Sequence, residues 1–218
     1  MVDWELGRYG EAEALNKRAL SIREKAPGVS HPDVAASLDN LAHIYLNQDK
    51  FSDAEALYRR SLAIKEKALG AANPAVAASL HNLAGACIKQ AKYSEAEGLL
   101  KRAVAIEEQV LGASHPHLAL SLGSLAAVYS GQAKYGEADA LYRRVLMIQE
   151  RVLGSNHPGV AVTLGNLAGV CMEEAKYSEA QGFLDRALAI KEKGLAPTIP
   201  APPWRSKVWL FHTPNRTT

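Results

Sequence analysis

Apolar and polar residues along this chain follow the spacing of amphipathic helices that come in pairs. In the clearest example, apolar residues recur at three- or four-residue intervals, at Val34, Leu38, Leu41 and Tyr45. This is the spacing of a helix with one buried face. After a polar link at 47–50, a second run has similar spacing, at Ala54, Leu57, Tyr58, Leu62 and Ile64. Neither helix can bury its apolar side alone, so the pattern predicts stacked helix pairs.

The helix pair recurs with a fixed period of 42 residues. Gly70 maps onto Gly112 and Gly154, and Asn73-Pro74 maps onto the His-Pro pairs that begin at 31, 115 and 157. A period of this size is typical of a solenoid built from one repeated unit. Proline after Asn or His predicts the start of each first helix. Glycine in the left-handed conformation predicts the end of each second helix.

These signals divide the chain into three parts. Residues 1–26 are a partial first repeat, in which 9–26 form a second helix without its partner. Residues 27–194 hold four complete repeats, with helix pairs at about 33–69, 75–111, 117–153 and 159–194. Residues 195–218 are rich in proline, which blocks a further helix, so we predict a disordered tail.

The last predicted helix should have no further helix packed against it. Its apolar residues do not form the polar outer face that usually ends a repeat array; they are Phe183, Leu184, Leu188 and Ile190. We therefore expect self-association through this terminal helix, and we interpret the chain as a fragment of a longer array or a form with a divergent end.

Composition narrows the range of partners. The chain has 218 residues, of which 48% are hydrophobic, and 25 basic against 23 acidic residues give a net charge of +2. This balance gives no electrostatic reason to expect nucleic acid or an anionic membrane. No apolar stretch is long enough to span a bilayer, and the N-terminus does not have the pattern of a secretory signal. We therefore predict no membrane insertion and a cytoplasmic location.

The residues also give no sign of catalysis. There is no phosphate-binding glycine loop and no nucleophile elbow. The histidines at 31, 115 and 157 occupy one repeated slot in three different repeats, which argues against a metal site. Cys87 and Cys171 occupy one repeat position two units apart, so they should be small core residues, too far apart for a disulfide. We predict no enzyme activity, no cofactor and no metal.

The second helices carry basic residues preceded by acidic ones four positions earlier. The pairs are Glu13 with Lys17, Glu55 with Arg59, Glu97 with Lys101 and Asp139 with Arg143. Such pairs stabilise an exposed helix surface. The spacing predicts a solvated convex face whose charges neutralise one another.

Two segments identify a family resemblance. The sequence Leu-Asp-Asn-Leu-Ala-His-Ile-Tyr at 38–45 and the sequence Lys-Phe-Ser-Asp-Ala-Glu-Ala-Leu-Tyr-Arg-Arg-Ser-Leu-Ala-Ile at 50–64 resemble a tetratricopeptide repeat. The 42-residue period with Leu-Gly-x-x-His-Pro junctions is similar to the repeats of kinesin light chains and nephrocystin-type proteins. The resemblance implies an all-α, right-handed solenoid whose first helices line a concave groove.

One face of the first helices can then meet a ligand. It lies opposite the apolar residues of each first helix, and the candidate groove residues are Asn40, His43, Asn47, His81, Asn82, Lys89, Ser124 and Asn166. In kinesin light chains, the matching asparagines bind the main chain of an extended cargo peptide, so the resemblance assigns this role to Asn40, Asn82 and Asn166. The alternative is that these asparagines brace neighbouring helices and contact no ligand.

Two functions follow as hypotheses. The first is a non-enzymatic adaptor that binds an extended peptide segment of a partner protein in the groove, with an indirect link to kinesin and microtubules that the resemblance alone implies. The second is the sensor or scaffold arm of a larger nephrocystin-like or nucleotide-switch signalling protein. In that case the catalytic domain would lie outside this sequence.

Overall fold

The computed structural model describes residues 2–25 and 31–195, which form helices joined by short turns. The helices in these ranges are α1 (Val2–Lys25), α2 (Pro32–Asn47), α3 (Phe51–Leu69), α4 (Pro74–Lys89), α5 (Tyr93–Leu111), α6 (Pro116–Gly131), α7 (Tyr135–Leu153), α8 (Pro158–Glu173) and α9 (Tyr177–Leu195). Helix α1 begins at Val2, ahead of the predicted start at residue 9. The predicted tail, 195–218, lies outside the described residues except for its first residue.

The helices stack in chain order. Each helix packs against the next one along the chain, and α4 also contacts α6. Each first helix of a complete repeat buries two leucines at fixed repeat positions, and the first of them is Leu38, Leu80, Leu122 or Leu164. Each leucine contributes to the contact between helices, so the apolar core runs along the array as a solenoid of helix pairs. Within the described ranges, no helix combines the length and apolar character needed to cross a bilayer.

Each first helix begins as the sequence predicts. Proline is the first helical residue, and the residue before it accepts a hydrogen bond from the backbone N–H two positions later. In α4 the acceptor is Asn73 Oδ1, 2.9 Å from the Ala75 nitrogen. In α8 it is His157 Nδ1, 3.0 Å from the Gly159 nitrogen. Histidine therefore replaces asparagine as an N-cap, because both present an acceptor at a similar reach.

The helix ends differ from the prediction. Gly70, which follows α3, has φ 84° and ψ 152°, an extended mirror-image conformation that is open essentially only to glycine. The left-handed residues lie instead after the first helices, where Ala91 has φ 57° and Ala133 has φ 58°. There the Lys92 nitrogen bonds the Cys87 carbonyl at 2.9 Å, as in a Schellman motif. The predicted left-handed glycine cap is therefore wrong, because the glycine has positive φ but an extended ψ.

A polar layer crosses each interface between repeats. In the first complete interface, Lys65 Nζ donates to Asp39 Oδ2 at 2.5 Å and to Ser79 Oγ at 2.7 Å. One repeat later the same three positions hold His81, Glu107 and Ser121, so acid and base have exchanged places. The layer therefore keeps a hydrogen-bonding side chain at each of the three positions, although the acidic and the basic residue have changed helices.

The acidic residues of the second helices are less solvated than predicted. Their bonds to Lys17, Arg59, Lys101 and Arg143 are present. However, the Glu55 side chain is only 4% exposed, because Lys92 of the next repeat covers it with a 2.7 Å ion pair. Burial acts to raise the pKa of Glu55, but hydrogen bonds from Lys92 and Gln90 bring it below its ordinary value. These carboxylates therefore join neighbouring repeats. The predicted neutralising pairs are present, but the prediction that this face is solvated is wrong for its carboxylates.

Arginine ladders add further ion pairs between successive second helices. Each arginine reaches a glutamate 36 positions earlier, and the pairs are Arg60 with Glu24, Arg102 with Glu66, Arg144 with Glu108 and Arg186 with Glu150. Exposed pairs of this kind contribute only about 0–1 kcal/mol each. The pairs recur with the same register between each second helix and the next.

The packing also alternates between successive repeats. Tyr45 has the ammonium groups of Lys17 and Lys50 over its ring, at 5.7 and 5.1 Å from the centroid. One repeat later the tyrosine position holds Cys87, which is buried, and the lysine of the preceding second helix becomes Arg59. The same alternation recurs in the following two repeats. Both cysteines are buried and unpaired, as predicted.

Candidate functional site

The predicted groove residues lie on one face of the first helices. Those exposed to solvent are Asn40, His43, Asn47, Asn82, Lys89 and Asn166, whereas Ser124 and His81 are half-buried. The three asparagines occupy one repeat position on α2, α4 and α8. They therefore present a row of exposed carboxamides along the array.

The three asparagines do not make the bracing contacts that the alternative interpretation requires. The side-chain hydrogen bonds between the first helices and their neighbours use other residues, among them Asp39, His81 and Thr163. Within the described ranges, none of the side-chain hydrogen bonds involves Asn40, Asn82 or Asn166. A carboxamide offers two donors and an acceptor, so each of these side chains can bond a ligand without losing a contact in the fold.

His81 takes part in packing between repeats. Its Nδ1 lies 3.3 Å from the Ser121 hydroxyl on α6. Burial and the positive charge of His117 lower the pKa of His81. Its ring therefore belongs to the interface between α4 and α6, while the neighbouring Asn82 points to solvent.

The lowered pKa of His81 predicts a pH dependence of stability. Below the ordinary histidine pKa of about 6.5, the unfolded chain takes up a proton at this position before the folded chain does. Stability contributed by the neutral ring is therefore complete above about pH 6.5 and is lost as the pH falls, by at most about 1.4 kcal/mol per pH unit. Urea unfolding of H81Q should show a shallower loss of stability on acidification. Parallel profiles for wild type and H81Q would contradict this assignment.

A cavity opens on the same face in the C-terminal half of the array. It has a volume of about 440 Å³ and lies between α6 and α8, with α7 below. The lining residues are Ser130, Gly131, Tyr135, Tyr142, Gly165, Asn166, Gly169, Val170 and Glu173. Asn166 is thus both a predicted groove residue and part of the cavity wall.

A carboxylate and a phenol meet in this cavity. The Tyr135 hydroxyl donates to Glu173 Oε2 at 3.3 Å. Desolvation and the nearby Glu173 charge raise the pKa of Tyr135. Gly165 and Gly169 leave the floor open, since a Cβ added at either position would meet nothing within 4 Å. The cavity therefore combines an aromatic wall, an open floor and one negative charge.

In the described ranges, one other cluster brings together side chains of the types that bind metals. Single ligand atoms of Glu55, Cys87 and Glu95 lie within 4.8 Å of one another. Arg59 bridges the two carboxylates, and Lys92 bonds Glu55. Burial raises the pKa of the Cys87 thiol to about 11, so the thiol is protonated near neutral pH. The cations already neutralise the carboxylates, and this chemistry is that of an ion-pair network.

Helix α9, the last helix that the structure describes, exposes apolar side chains. On α9, Leu184 is 42% exposed and Leu188 is 56% exposed. The equivalent residues of earlier second helices lie next to a following repeat. This exposure is the physical basis of the predicted self-association, which stays a prediction.

Comparisons with known proteins agree with this architecture. A family model for the tetratricopeptide repeat matches residues 1–67, 75–150 and 122–193. A kinesin light chain-like protein from Podosopora anserina with nearly identical TPR-like repeats is 31% identical, with a TM-score of 0.77 over 87% of this chain and 90% of that chain. BtubC (BKLC) from P. vanneervenii is 22% identical, with a TM-score of 0.81 over 97% of this chain and 83% of that chain. A comparison with curated protein sequences gives no match.

The stacked helix pairs and their open polar face define a class of protein, the helical-repeat scaffold for protein interactions. The chain belongs to the tetratricopeptide repeat family, and its repeats are of the kinesin light chain type. The predicted all-α solenoid is confirmed.

Proposed function

We propose that this chain is a non-enzymatic adaptor that binds an extended peptide segment of a partner protein along the first helices. The observation that carries the proposal is the row of exposed carboxamides at Asn40, Asn82 and Asn166, which ends at a cavity on the same face. A carboxamide can donate to a peptide carbonyl and accept from a peptide N–H. The row can therefore hold a main chain whatever its side chains are.

The asparagines alone cannot supply useful affinity. Each hydrogen bond contributes about 0.5–1.5 kcal/mol net, so three give at most about 4.5 kcal/mol. Micromolar binding needs about 8 kcal/mol. Burial of one large apolar side chain adds roughly 1.5–3 kcal/mol. Gly169 and the cavity supply room for such an anchor, and Gly85 and Ala127 leave space elsewhere along the same face.

The test compares asparagines inside and outside the groove. The double variant N82A/N166A should bind peptides selected on wild type from a random-sequence library at least tenfold more weakly, which corresponds to about 1.4 kcal/mol. N156A is the matched control, because Asn156 lies in the turn before α8 and bonds Lys193. Its affinity should stay unchanged. Circular dichroism should show equal helix content in all three proteins. Normal binding by the double variant would remove the groove assignment.

Three further expectations rest on the sequence alone. A cytoplasmic location and an indirect link to kinesin and microtubules stay predictions. So does the alternative role as an arm of a larger signalling protein, which concerns sequence beyond these 218 residues.

A further inference from the structure

We propose that the cavity between α6 and α8 accepts a lysine or arginine side chain of the bound peptide, with Glu173 as its counter-ion and Tyr135 as its aromatic wall. This inference rests on the proposed peptide-binding function and gives it a chemical specificity. It makes the partner a protein whose extended segment carries a basic residue at one fixed position.

The negative charge in the cavity wall favours a ligand group with a positive charge. Among the lining residues that the structure describes, Glu173 is the one that carries a charge, and it stands at the exposed end of α8. Most acidic residues of the second helices lie in ion pairs, as Glu95 and Glu179 do with Arg59 and Arg143. In the described part of the chain, Glu173 has no such ion pair and accepts a hydrogen bond from the Tyr135 hydroxyl. A basic side chain in the cavity would give this carboxylate an ion-pair partner.

Two other tyrosine–glutamate pairs in this chain are each accompanied by lysine side chains. Tyr45 donates to Glu13 at 3.4 Å, and Lys17 and Lys50 sit over the tyrosine ring and bond the same carboxylate. Glu97 has a comparable environment, with Lys101 and Lys134 bound to it and placed over the ring of Tyr129. A tyrosine and a glutamate are thus accompanied by lysine at two other places in this structure.

The pair formed by Tyr135 and Glu173 differs in one respect. The two side chains meet at 3.3 Å, but among the residues that the structure describes no lysine or arginine lies over the Tyr135 ring or within ion-pair distance of Glu173. The partner would supply the missing cation. Attraction to an aromatic face and to a carboxylate favours an ammonium or guanidinium group over a neutral side chain.

The shape of the cavity fits a long side chain. Its volume is about 440 Å³, and the missing side chains of Gly165 and Gly169 leave a clear path along α8. The aliphatic part of a lysine or arginine can lie along this path while the charged end reaches Glu173. Asn166 lies in the same wall, so the peptide main chain and its basic side chain can be held together.

The groove also supplies a control charge. Lys89 occupies the same repeat position on α4 that Glu173 occupies on α8, and both are exposed. Reversing Lys89 changes the charge of the face two repeats away without touching the cavity. The variants E173K and K89E therefore separate a local effect of the cavity from a general effect of groove charge.

The experiment is a selection from a random-sequence peptide library on wild type, E173K and K89E. Wild type and K89E should both enrich Lys or Arg at the position that the cavity accepts, and any change of preference in K89E should fall at a different position of the motif. E173K should enrich Asp or Glu at that position and keep the rest of the motif. The best wild-type peptide should bind E173K at least about tenfold more weakly, and E173Q should lie between the two. Because Glu173 is exposed, these variants should fold normally, which circular dichroism checks.

Two failures can be told apart. A shared motif without a basic position, or an unchanged basic preference in E173K, would overturn this inference while the adaptor function stands. Peptides that bind wild type and N82A/N166A equally would overturn the groove assignment and this inference together, and no enrichment on any variant would overturn the peptide-binding function as well.

Discussion

L80A should lower the free energy of unfolding by about 3 kcal/mol, within the range of roughly 2–5 kcal/mol for leucine truncations in protein cores. Leu80 is fully buried and belongs to a cluster with Leu62, Leu83 and Cys87 that joins neighbouring repeats. The substitution removes apolar contacts and leaves a cavity. Because the residue lies where helix pairs meet, it should also weaken coupling between repeats.

Urea unfolding measured by circular dichroism checks this expectation. The matched control is L120A, since Leu120 is also a leucine of a first helix but is 61% exposed. Its substitution should change stability by no more than about 0.5 kcal/mol. Equal effects of L80A and L120A would show that the assignment of buried and exposed faces is wrong.

K65E should destabilise the chain by about 3 kcal/mol, and adding D39H should recover most of this loss. In wild type, the Lys65 ammonium bonds Asp39 and Ser79, and both charged side chains are mostly buried. K65E places two carboxylates together, and breaking a buried ion pair costs about 3–5 kcal/mol. The double variant reproduces the histidine and glutamate found one repeat later at 81 and 107.

A double-mutant cycle measures the coupling directly. We expect D39H/K65E to lie within about 1 kcal/mol of wild type, because its side chains match a layer that already exists in this chain. The sum of the two single losses would be larger. Additive losses would mean that the polar layer contributes nothing specific to the stacking of repeats.

Much of the fold could be predicted from local signals. The 42-residue period, the apolar spacing and the Pro that follows His or Asn locate the first helices, because each signal acts within one or two turns. The left-handed turns at Ala91 and Ala133 could not be predicted, since glycine or asparagine is the usual residue there. Alanine carries no such signal, and it adopts positive φ because the following helix must pack back on the first.

The contacts between repeats could not be predicted from the sequence pattern either. Glu55 was predicted on a solvated face because Arg59 follows it at helical spacing. Its burial depends on Lys92, which lies 37 positions away and reaches back from the next repeat. The alternation of Tyr45 and Cys87 likewise makes sense only beside the lysine or arginine of the preceding helix. The sequence motif recurs in every repeat, whereas the packing around this position recurs only in every second repeat.

The candidate site shows the same limit. A helical projection correctly placed Asn82 on the exposed face, because exposure follows from the spacing of buried residues on one helix. His81 was predicted as a groove residue as well, whereas the structure packs this ring against Ser121 of the next first helix. The cavity could not be predicted, since Tyr135 comes from a second helix and meets Glu173 only through stacking.

The central claim is that a partner peptide lies along the row of asparagines. Its most direct test is a nuclear magnetic resonance titration of the labelled chain with the best peptide from the wild-type selection. The side-chain amide signals of Asn40, Asn82 and Asn166 should shift, while that of Asn156 should stay in place. Shifts confined to the second helices, such as the arginine ladder around Arg102, with unchanged groove asparagines would contradict the account.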